Sequence, residues 1–165
     1  MQTKNFRPPF IKNIFFFVEL AKKIQGVKKI AIIGSITTSK KKPKDIDLLV
    51  TIDNTINIKK LAAAGRKLTG KQMAVGDSSG ADVFLANEAG AYLGRTCHYR
   101  QCHLRMGCMG IRCNGGHIMY DLHIINLDKS LVLNPPVEIY PKVVIRKQLP
   151  KDLEVAIQAY QKSSE

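Results

Sequence analysis

Apolar residues recur at helical and strand spacings along most of the chain, and these spacings predict its elements. Pro8 and Pro9 are tolerated in the first turn of a helix, and apolar residues at positions 10–24 then follow a helical period that Gly26 ends. The short apolar run at positions 30–33 predicts a buried strand that stops at the pair Gly34-Ser35. The chain is therefore expected to begin with a helix and then a strand.

The rest of the chain continues this succession of helices and strands. Residues 45–52 (DIDLLVTI) form the clearest strand, because branched apolar side chains lie there between polar segments. The further expected elements are a helix at 58–68 closed by Gly70, a strand at 81–85, a helix at 93–109, strands at 117–127 and 143–145, and a terminal helix at 152–161. This order predicts a mixed α and β protein.

The composition is that of a folded and strongly basic protein. The chain has 165 residues, of which 45% are apolar, and this excludes wholesale disorder and favours one compact domain or two small lobes. Lys and Arg number 26 against 13 Asp and Glu, a formal charge of +13 that indicates nucleic acid, nucleotides or an acidic membrane surface as a partner. Because no apolar run has the length of a bilayer span and no signal-peptide pattern opens the chain, we expect an intracellular protein.

Two carboxylates stand at the start of the clearest strand. Side chains alternate across a strand, so Asp45 and Asp47 are expected to project from one face. Asp82 opens another predicted strand, which can lie beside the first and add a third carboxylate. Since clustered carboxylates repel one another unless a cation or a proton relieves them, and since oxygen ligands suit Mg²⁺, the pattern predicts a site for two metal ions.

A Gly-Ser pair directly follows the first predicted strand. Glycine lets the backbone approach a phosphate closely, and the Ser35 hydroxyl and neighbouring N–H groups are donors. Four lysines in the spacer before Asp45 are candidates to contact a triphosphate or a nucleic-acid backbone: Lys40, Lys41, Lys42 and Lys44. Alone, such a pair is most often a simple turn, an Asp-x-Asp a solvated strand edge and a lysine run an exposed loop. Their joint order along the chain favours the functional interpretation.

The combined pattern resembles the nucleotidyltransferase superfamily, and within it the X-family DNA polymerases typified by DNA polymerase beta. IAIIGS (30–35), nine spacer residues and DIDLLV (45–50) form the most specific block. ADVFL (81–85) is similar to the family's strand that carries the third acid, and AYLG (91–94) is similar to its Tyr-Phe-x-Gly turn. GIRCN (110–114) is similar to its Gly-aromatic-x-aliphatic-Asn segment, and LPKDLEVAIQAY (149–160) is similar to its terminal helix.

The resemblance implies roles for particular residues. Gly34 and Ser35 would bind the triphosphate, and Asp45, Asp47 and Asp82 would bind two Mg²⁺, with Asp82 also serving the primer hydroxyl. Lys42 of the spacer is the cationic candidate for the same triphosphate. Tyr92 and Gly94 would pack against the incoming sugar, although Ala91 and Tyr92 stand where the family has Tyr and Phe. The spacer has lysines in place of the Arg that often follows Gly-Ser. Asp77 is a second candidate for the third acid. Asp82 is favoured, because it lies on a predicted strand and Asp77 does not.

The implied fold is α+β. It has a nucleotidyltransferase-like palm at 1–90, with a mixed sheet and helices on one side, and a small α+β thumb-like lobe at 91–165. The implied activity is that of a minimal DNA polymerase, which adds dNMPs from dNTPs to the 3′-hydroxyl of a primer–template or gapped duplex. Short-gap repair is the process in which such an enzyme would act. Lys40, Lys41, Lys44, Arg100 and Arg105 would contact DNA, and we expect a monomer that does not bind membranes.

Two other functions compete with this one. A nucleotidyltransferase with another acceptor, such as an RNA end, a protein or a small molecule, would use the same residues. A catalytically silent nucleic-acid-binding module on the same fold is the third hypothesis. The aspartates argue against it, because without metal they would repel phosphate.

Four cysteines and nearby histidines form a further cluster. The cysteines are spaced C-x4-C-x5-C-x4-C: Cys97, Cys102, Cys108 and Cys113. Reduced thiols are the favoured interpretation, because zinc ligands are normally two to four residues apart and the predicted helix would point Cys102 away from Cys97 and Cys108. A zinc site and a disulfide remain alternatives. Arg95 on the same predicted helix is a candidate contact to template or phosphate.

Overall fold

The computed structural model of the protein describes residues 7–76, 78–98, 117–119, 122 and 124–165. Within them it has four α-helices, α1 (Arg7–Ala21), α2 (Ile58–Met73), α3 (Lys129–Leu133) and α4 (Lys151–Ser163), and a short 3₁₀ helix at Ser35–Thr37. The seven strands are β1 (Val27–Ile33), β2 (Asp45–Ile52), β3 (Gly80–Asn87), β4 (Tyr92–Thr96), β5 (Ile118–Met119), β6 (Val137–Tyr140) and β7 (Val144–Ile145). The predicted α+β class with a mixed sheet is confirmed.

All seven strands belong to one sheet in the order β5-β4-β3-β2-β1-β6-β7. β2 and β3 are parallel and are connected through α2, whereas the other neighbouring pairs are antiparallel. The strands of the second half of the chain extend the sheet on both sides of β1, β2 and β3. Both halves therefore share one sheet, and the division at residue 90 into palm and thumb stays a prediction.

The two faces of the sheet carry different clusters. The main core lies between the sheet and α1, α2 and α4, and it includes Phe10, Phe17, Ile46, Leu48 and Ile157. A smaller cluster on the opposite face contains Ala31, Ile33, Leu49, Phe84, Ala86, Tyr92 and, from α3, Val132. Because side chains alternate along β2, Asp45 and Asp47 lie on the face of this smaller cluster. The aspartates are thus on the face opposite the three long helices.

Several predicted elements agree with the structure and differ from it only at their ends. β2 has the predicted bounds, while β1 and β3 are longer than expected and α1 ends earlier, at Ala21. α2 continues past Gly70, which is exposed and where an added Cβ would meet no atom within 4 Å. A glycine inside a helix only lowers its stability, by about 1 kcal/mol relative to alanine, so packing on the sheet carries the helix to Met73.

The prediction of a helix at 93–109 is wrong at its start, where Tyr92–Thr96 forms β4. The cause is a hairpin turn: the amide of Asn87 donates to the carbonyl of Ala91 at 3.0 Å, and Gly90 has a φ of 90°. This turn places β4 antiparallel to β3, and strand pairing overrides the helical spacing of the apolar residues. Residues 99–109 of the predicted helix lie outside the described residues.

The later part of the chain also differs from expectation. Of the predicted strand at 117–127, only Ile118–Met119 is a strand among the described positions. Asp128 instead caps α3, because its side chain accepts a hydrogen bond from the Ser130 amide at 2.7 Å. Neither α3 nor β6 was predicted. The terminal helix is confirmed as Lys151–Ser163.

Candidate functional site

Three carboxylates meet at the start of the parallel pair of strands. Asp47 on β2 is directly beside Asp82 on β3, and Asp45 precedes Asp47 by two positions on the same face. Each carboxylate offers one oxygen atom within 4.8 Å of those of the other two, and all three residues are half-buried. The prediction that these acids lie together is confirmed. Three such oxygen ligands fit a hard divalent cation, although they do not by themselves select Mg²⁺.

The electrostatics of the cluster centre on Asp47. Burial raises the pKa of Asp47 to about 7, and the neighbouring charges of Asp45 and Asp82 add to this effect, while Arg95 opposes it. At neutral pH the cluster therefore holds a proton on Asp47 for part of the time. A divalent cation bound by the same oxygens would relieve the same repulsion, so the donor set and its charge both fit a metal.

Asp82 is stabilised as an anion by two neighbouring side chains, Arg95 and His98. Burial alone would raise the pKa of Asp82, but a hydrogen bond from His98 and the charge and hydrogen bond of Arg95 lower it below its usual value. Nη1 of Arg95 is 3.0 Å from Oδ1 of Asp82, and Nε2 of His98 is 3.6 Å from the same oxygen. Arg95 reaches this oxygen because β4 places it beside Phe84, two residues beyond Asp82 on β3.

Neither contact follows from the apolar spacing of the sequence. A helix at 93–109 would direct Arg95 to nucleic acid and leave His98 among the cysteines, whereas the structure has β4 at Tyr92–Thr96. The turn at Asn87–Ala91 was the signal that would have placed Arg95 beside β3.

The Gly-Ser turn touches the carboxylate cluster through Gly34. Gly34 has φ 78° and ψ −163°, a conformation that is essentially restricted to glycine. A Cβ atom at this position would collide with Oδ2 of Asp47, so the absence of a side chain lets the turn and the carboxylate lie in contact. The carbonyl of Gly34 accepts hydrogen bonds from the amide and the hydroxyl of Thr37, at 3.2 and 2.7 Å, which fix the turn. Ser35 is half-buried within it.

The lysine segment connects this turn to β2. Its four lysine side chains are exposed: Lys40, Lys41, Lys42 and Lys44. The carbonyl of Lys44 accepts hydrogen bonds from the amide of Ser79 at 2.7 Å and the hydroxyl of Ser78 at 3.0 Å, which ties the end of the segment to the start of β3. Asp77, the competing candidate for the third acid, lies outside the described residues.

Tyr92 and Gly94 lie in β4 and not in the turn that the family resemblance implies. Tyr92 is buried, with its ring centroid 6.2 Å from that of Phe84, and it pairs with Ala86, four residues beyond Asp82 on β3. Gly94 has a φ of 128°, and a Cβ there would meet the Met119 carbonyl oxygen of β5. Their predicted role in packing against a sugar stays a prediction.

The remaining predicted residues are largely outside the described part of the chain. This holds for Arg100 and Arg105, and for Cys102, Cys108 and Cys113. Cys97 is buried, at 6% exposure. The interpretation of the cysteines as thiols or metal ligands therefore stays open.

The three aspartates lie in the part of the chain that a protein-family model matches. A protein-family model described as a family of unknown function (DUF6932) matches residues 2–103, well over half of the chain. Neither the curated proteins nor the solved structures that were searched contain a match. Among the described residues, none of the helices has both the length and the apolar character required to cross a bilayer.

Proposed function

We propose that this chain, which belongs to the DUF6932 family, is a Mg²⁺-dependent nucleotidyltransferase that extends DNA from dNTPs. The observation that carries nucleotidyl transfer is the contact between the Gly34 turn and a cluster of three carboxylates, with their oxygens within 4.8 Å of one another. A phosphate-binding turn beside a divalent metal site is what attack on a nucleoside triphosphate requires. As the acceptor of the nucleotide, we favour the 3′-hydroxyl of a DNA primer.

The three aspartates of the cluster would have related roles in binding metal and the acceptor. Asp45, Asp47 and Asp82 would hold two Mg²⁺ ions, which when bound activate an attacking hydroxyl and neutralise phosphate charge. Asp82 would also face the acceptor hydroxyl, and Arg95 and His98 keep its carboxylate ionised and oriented. Catalysis would then depend on positioning and charge neutralisation, without a covalent intermediate on the protein.

The Gly-Ser turn and the lysine segment would receive the triphosphate. Gly34 lets the backbone approach a phosphate because it has no side chain, and the Ser35 hydroxyl is a donor beside it. Lys42 is exposed on the segment that follows and would add a cationic contact to the phosphates. The proposal does not depend on Tyr92 or Gly94.

The formal charge of +13 supports DNA as the acceptor. Exposed Lys40, Lys41 and Lys44 would contact phosphates of the duplex, and binding should weaken as salt concentration rises. A binding module without catalysis would gain nothing from three carboxylates placed together in a basic protein, since they repel phosphate unless metal neutralises them.

Extension of a labelled primer on a gapped duplex with Mg²⁺ and dNTPs tests the proposal. We expect extension by the wild type and none by the variant Asp45→Asn/Asp47→Asn. Asp53→Asn is the matched control, because it removes a half-buried carboxylate that pairs with Lys28 and lies outside the cluster. Equal extension by wild type and the double variant would contradict catalysis by the cluster. Transfer of α-labelled nucleotide to RNA, a protein or a small molecule, with none to DNA, would keep nucleotidyl transfer and overturn the DNA acceptor.

A further inference from the structure

Arg7, the first residue of α1, is a buried arginine that joins two distant parts of the chain. It is only 6% exposed. Its hydrogen bonds run to the carbonyl oxygens of Ile36 (2.9 Å), Thr38 (3.1 Å) and Lys40 (2.8 Å) and to both carboxylate oxygens of Asp152 (2.7 and 3.1 Å). These contacts occupy all five N–H groups of the guanidinium.

The three carbonyl groups belong to the loop that follows the Gly-Ser turn. Thr38 and Lys40 are exposed, and this loop lies outside the strands of the sheet. Within the loop, the Thr38 hydroxyl donates to the Ser35 carbonyl at 2.6 Å. Arg7 supplies the contacts that connect the loop to α1 and, through Asp152, to α4. The ion pair with Asp152 also compensates the cost of burying the guanidinium charge.

The same loop is continuous with the Gly34 turn and with the lysine segment. Gly34 contacts Asp47, and the carbonyl of Lys40 accepts directly from Arg7. The guanidinium therefore fixes the backbone that presents the exposed lysines beside the turn. Lysine is no substitute for arginine in this position, because an ammonium group has three donors and lacks the planar fork that reaches several acceptors at once.

We propose that Arg7 is a positioning residue that holds the loop after Gly34-Ser35 in the conformation that binds a nucleoside triphosphate. This inference rests on the proposed function and adds to it a residue that touches neither the carboxylate cluster nor the phosphates. A loop that is already ordered loses less conformational freedom when the ligand binds, so the contacts of Arg7 raise triphosphate affinity. Metal affinity should not depend on the order of this loop, because the three carboxylates lie on β2 and β3.

The test compares Arg7→Lys, which retains the charge, with Lys12→Gln, which removes an exposed cation from the same helix. Three quantities are measured: amide hydrogen exchange in residues 36–42, binding of Mg²⁺–dATP by calorimetry, and binding of Mn²⁺ alone. We expect Arg7→Lys to accelerate exchange in the loop and to weaken Mg²⁺–dATP binding about tenfold, the scale of one lost charge-assisted hydrogen bond. Mn²⁺ affinity should stay within about twofold, and Lys12→Gln should change none of the three.

The outcomes separate the inference from the proposed function. Mg²⁺–dATP binding by Arg7→Lys at wild-type affinity would overturn the positioning role, and so would an equal loss of Mn²⁺ binding, which would indicate a general structural effect. If the wild type itself binds no Mg²⁺–dATP, the proposed function fails and this inference fails with it. If Arg7→Lys does not fold, Asp152→Asn replaces it. It keeps an acceptor oxygen and should shift exchange and dATP affinity in the same direction by a smaller factor.

Discussion

Replacing Gly34 by alanine tests whether the Gly-Ser turn and the carboxylate cluster form one unit. At φ 78° and ψ −163°, an L-residue is strained by about 1–3 kcal/mol. The added Cβ would also lie 3.0 Å from Cβ and 3.1 Å from Cγ of Asp47, and would collide with its Oδ2. Because the Asp47 backbone is held by pairing within the sheet, its carboxylate must move to make room.

Two effects of Gly34→Ala follow from this geometry. The free energy of unfolding should fall by about 1–3 kcal/mol, and a protein of this size loses roughly 2–4 °C in melting temperature for each kcal/mol. Mn²⁺ binding should weaken as well, since the carboxylate that moves is a member of the cluster. Strain alone would affect stability and leave the metal affinity unchanged.

Gly70→Ala is the matched control. Gly70 is exposed in α2, and its added Cβ meets no atom within 4 Å. Alanine there should stabilise the helix by about 0.5–1 kcal/mol and leave Mn²⁺ binding unchanged. Thermal unfolding with a chelator and Mn²⁺ titration by calorimetry measure both quantities. If Gly34→Ala melts at the wild-type temperature, or binds Mn²⁺ as tightly as the wild type, the turn and the cluster are not coupled in this way.

Three further substitutions have expected results. Asp47 has a raised pKa, so its contribution to stability is present below about pH 4 and is lost as the pH rises through about 7. Without metal, Asp47→Asn should therefore have a higher melting temperature than the wild type at about pH 8. Added Mn²⁺ should not raise the melting temperature of this variant. The contact with Arg7 lowers the pKa of Asp152, so Asp152→Asn should be less stable than the wild type at neutral pH, and urea titrations should show the gap closing as the pH falls through that lowered value. Arg95→Gln removes a cation 3.0 Å from Asp82 and should tighten Mn²⁺ binding measured by calorimetry, whereas weaker binding would contradict competition between Arg95 and the metal.

The carboxylate cluster could be predicted because its signals are local. β2 is recognisable from eight consecutive residues, in which buried branched side chains follow two acids at alternate positions. The helix α2 and the strand β3 come next along the chain, and a strand, helix and strand in succession favour a parallel pair. In the register that the structure has, this pairing brings Asp82 beside Asp47.

The surroundings of the cluster could not be predicted in the same way. Arg7 and Asp152 are 145 positions apart, and no periodicity or spacing relates them. Arg95 is a different case, because the turn before β4 has a recognisable hairpin signal in Asn87 and Gly90. The helical spacing of Leu93 and Cys97 conflicts with this turn, and pairing with β3 decides that Arg95 lies on a strand.

The position of β1 in the sheet limits how the chain can be divided. One edge of β1 pairs with β2, but the other edge pairs with β6, which comes from residues 137–140. A fragment limited to residues 2–103 would lack β6 and would leave the buried residues Ile30 and Ile32 on an unpaired edge, which favours association with other chains. During synthesis that edge has no partner until most of the protein has been made. Pairing over such a separation slows folding, and we expect expression of the shorter fragment to yield aggregated protein.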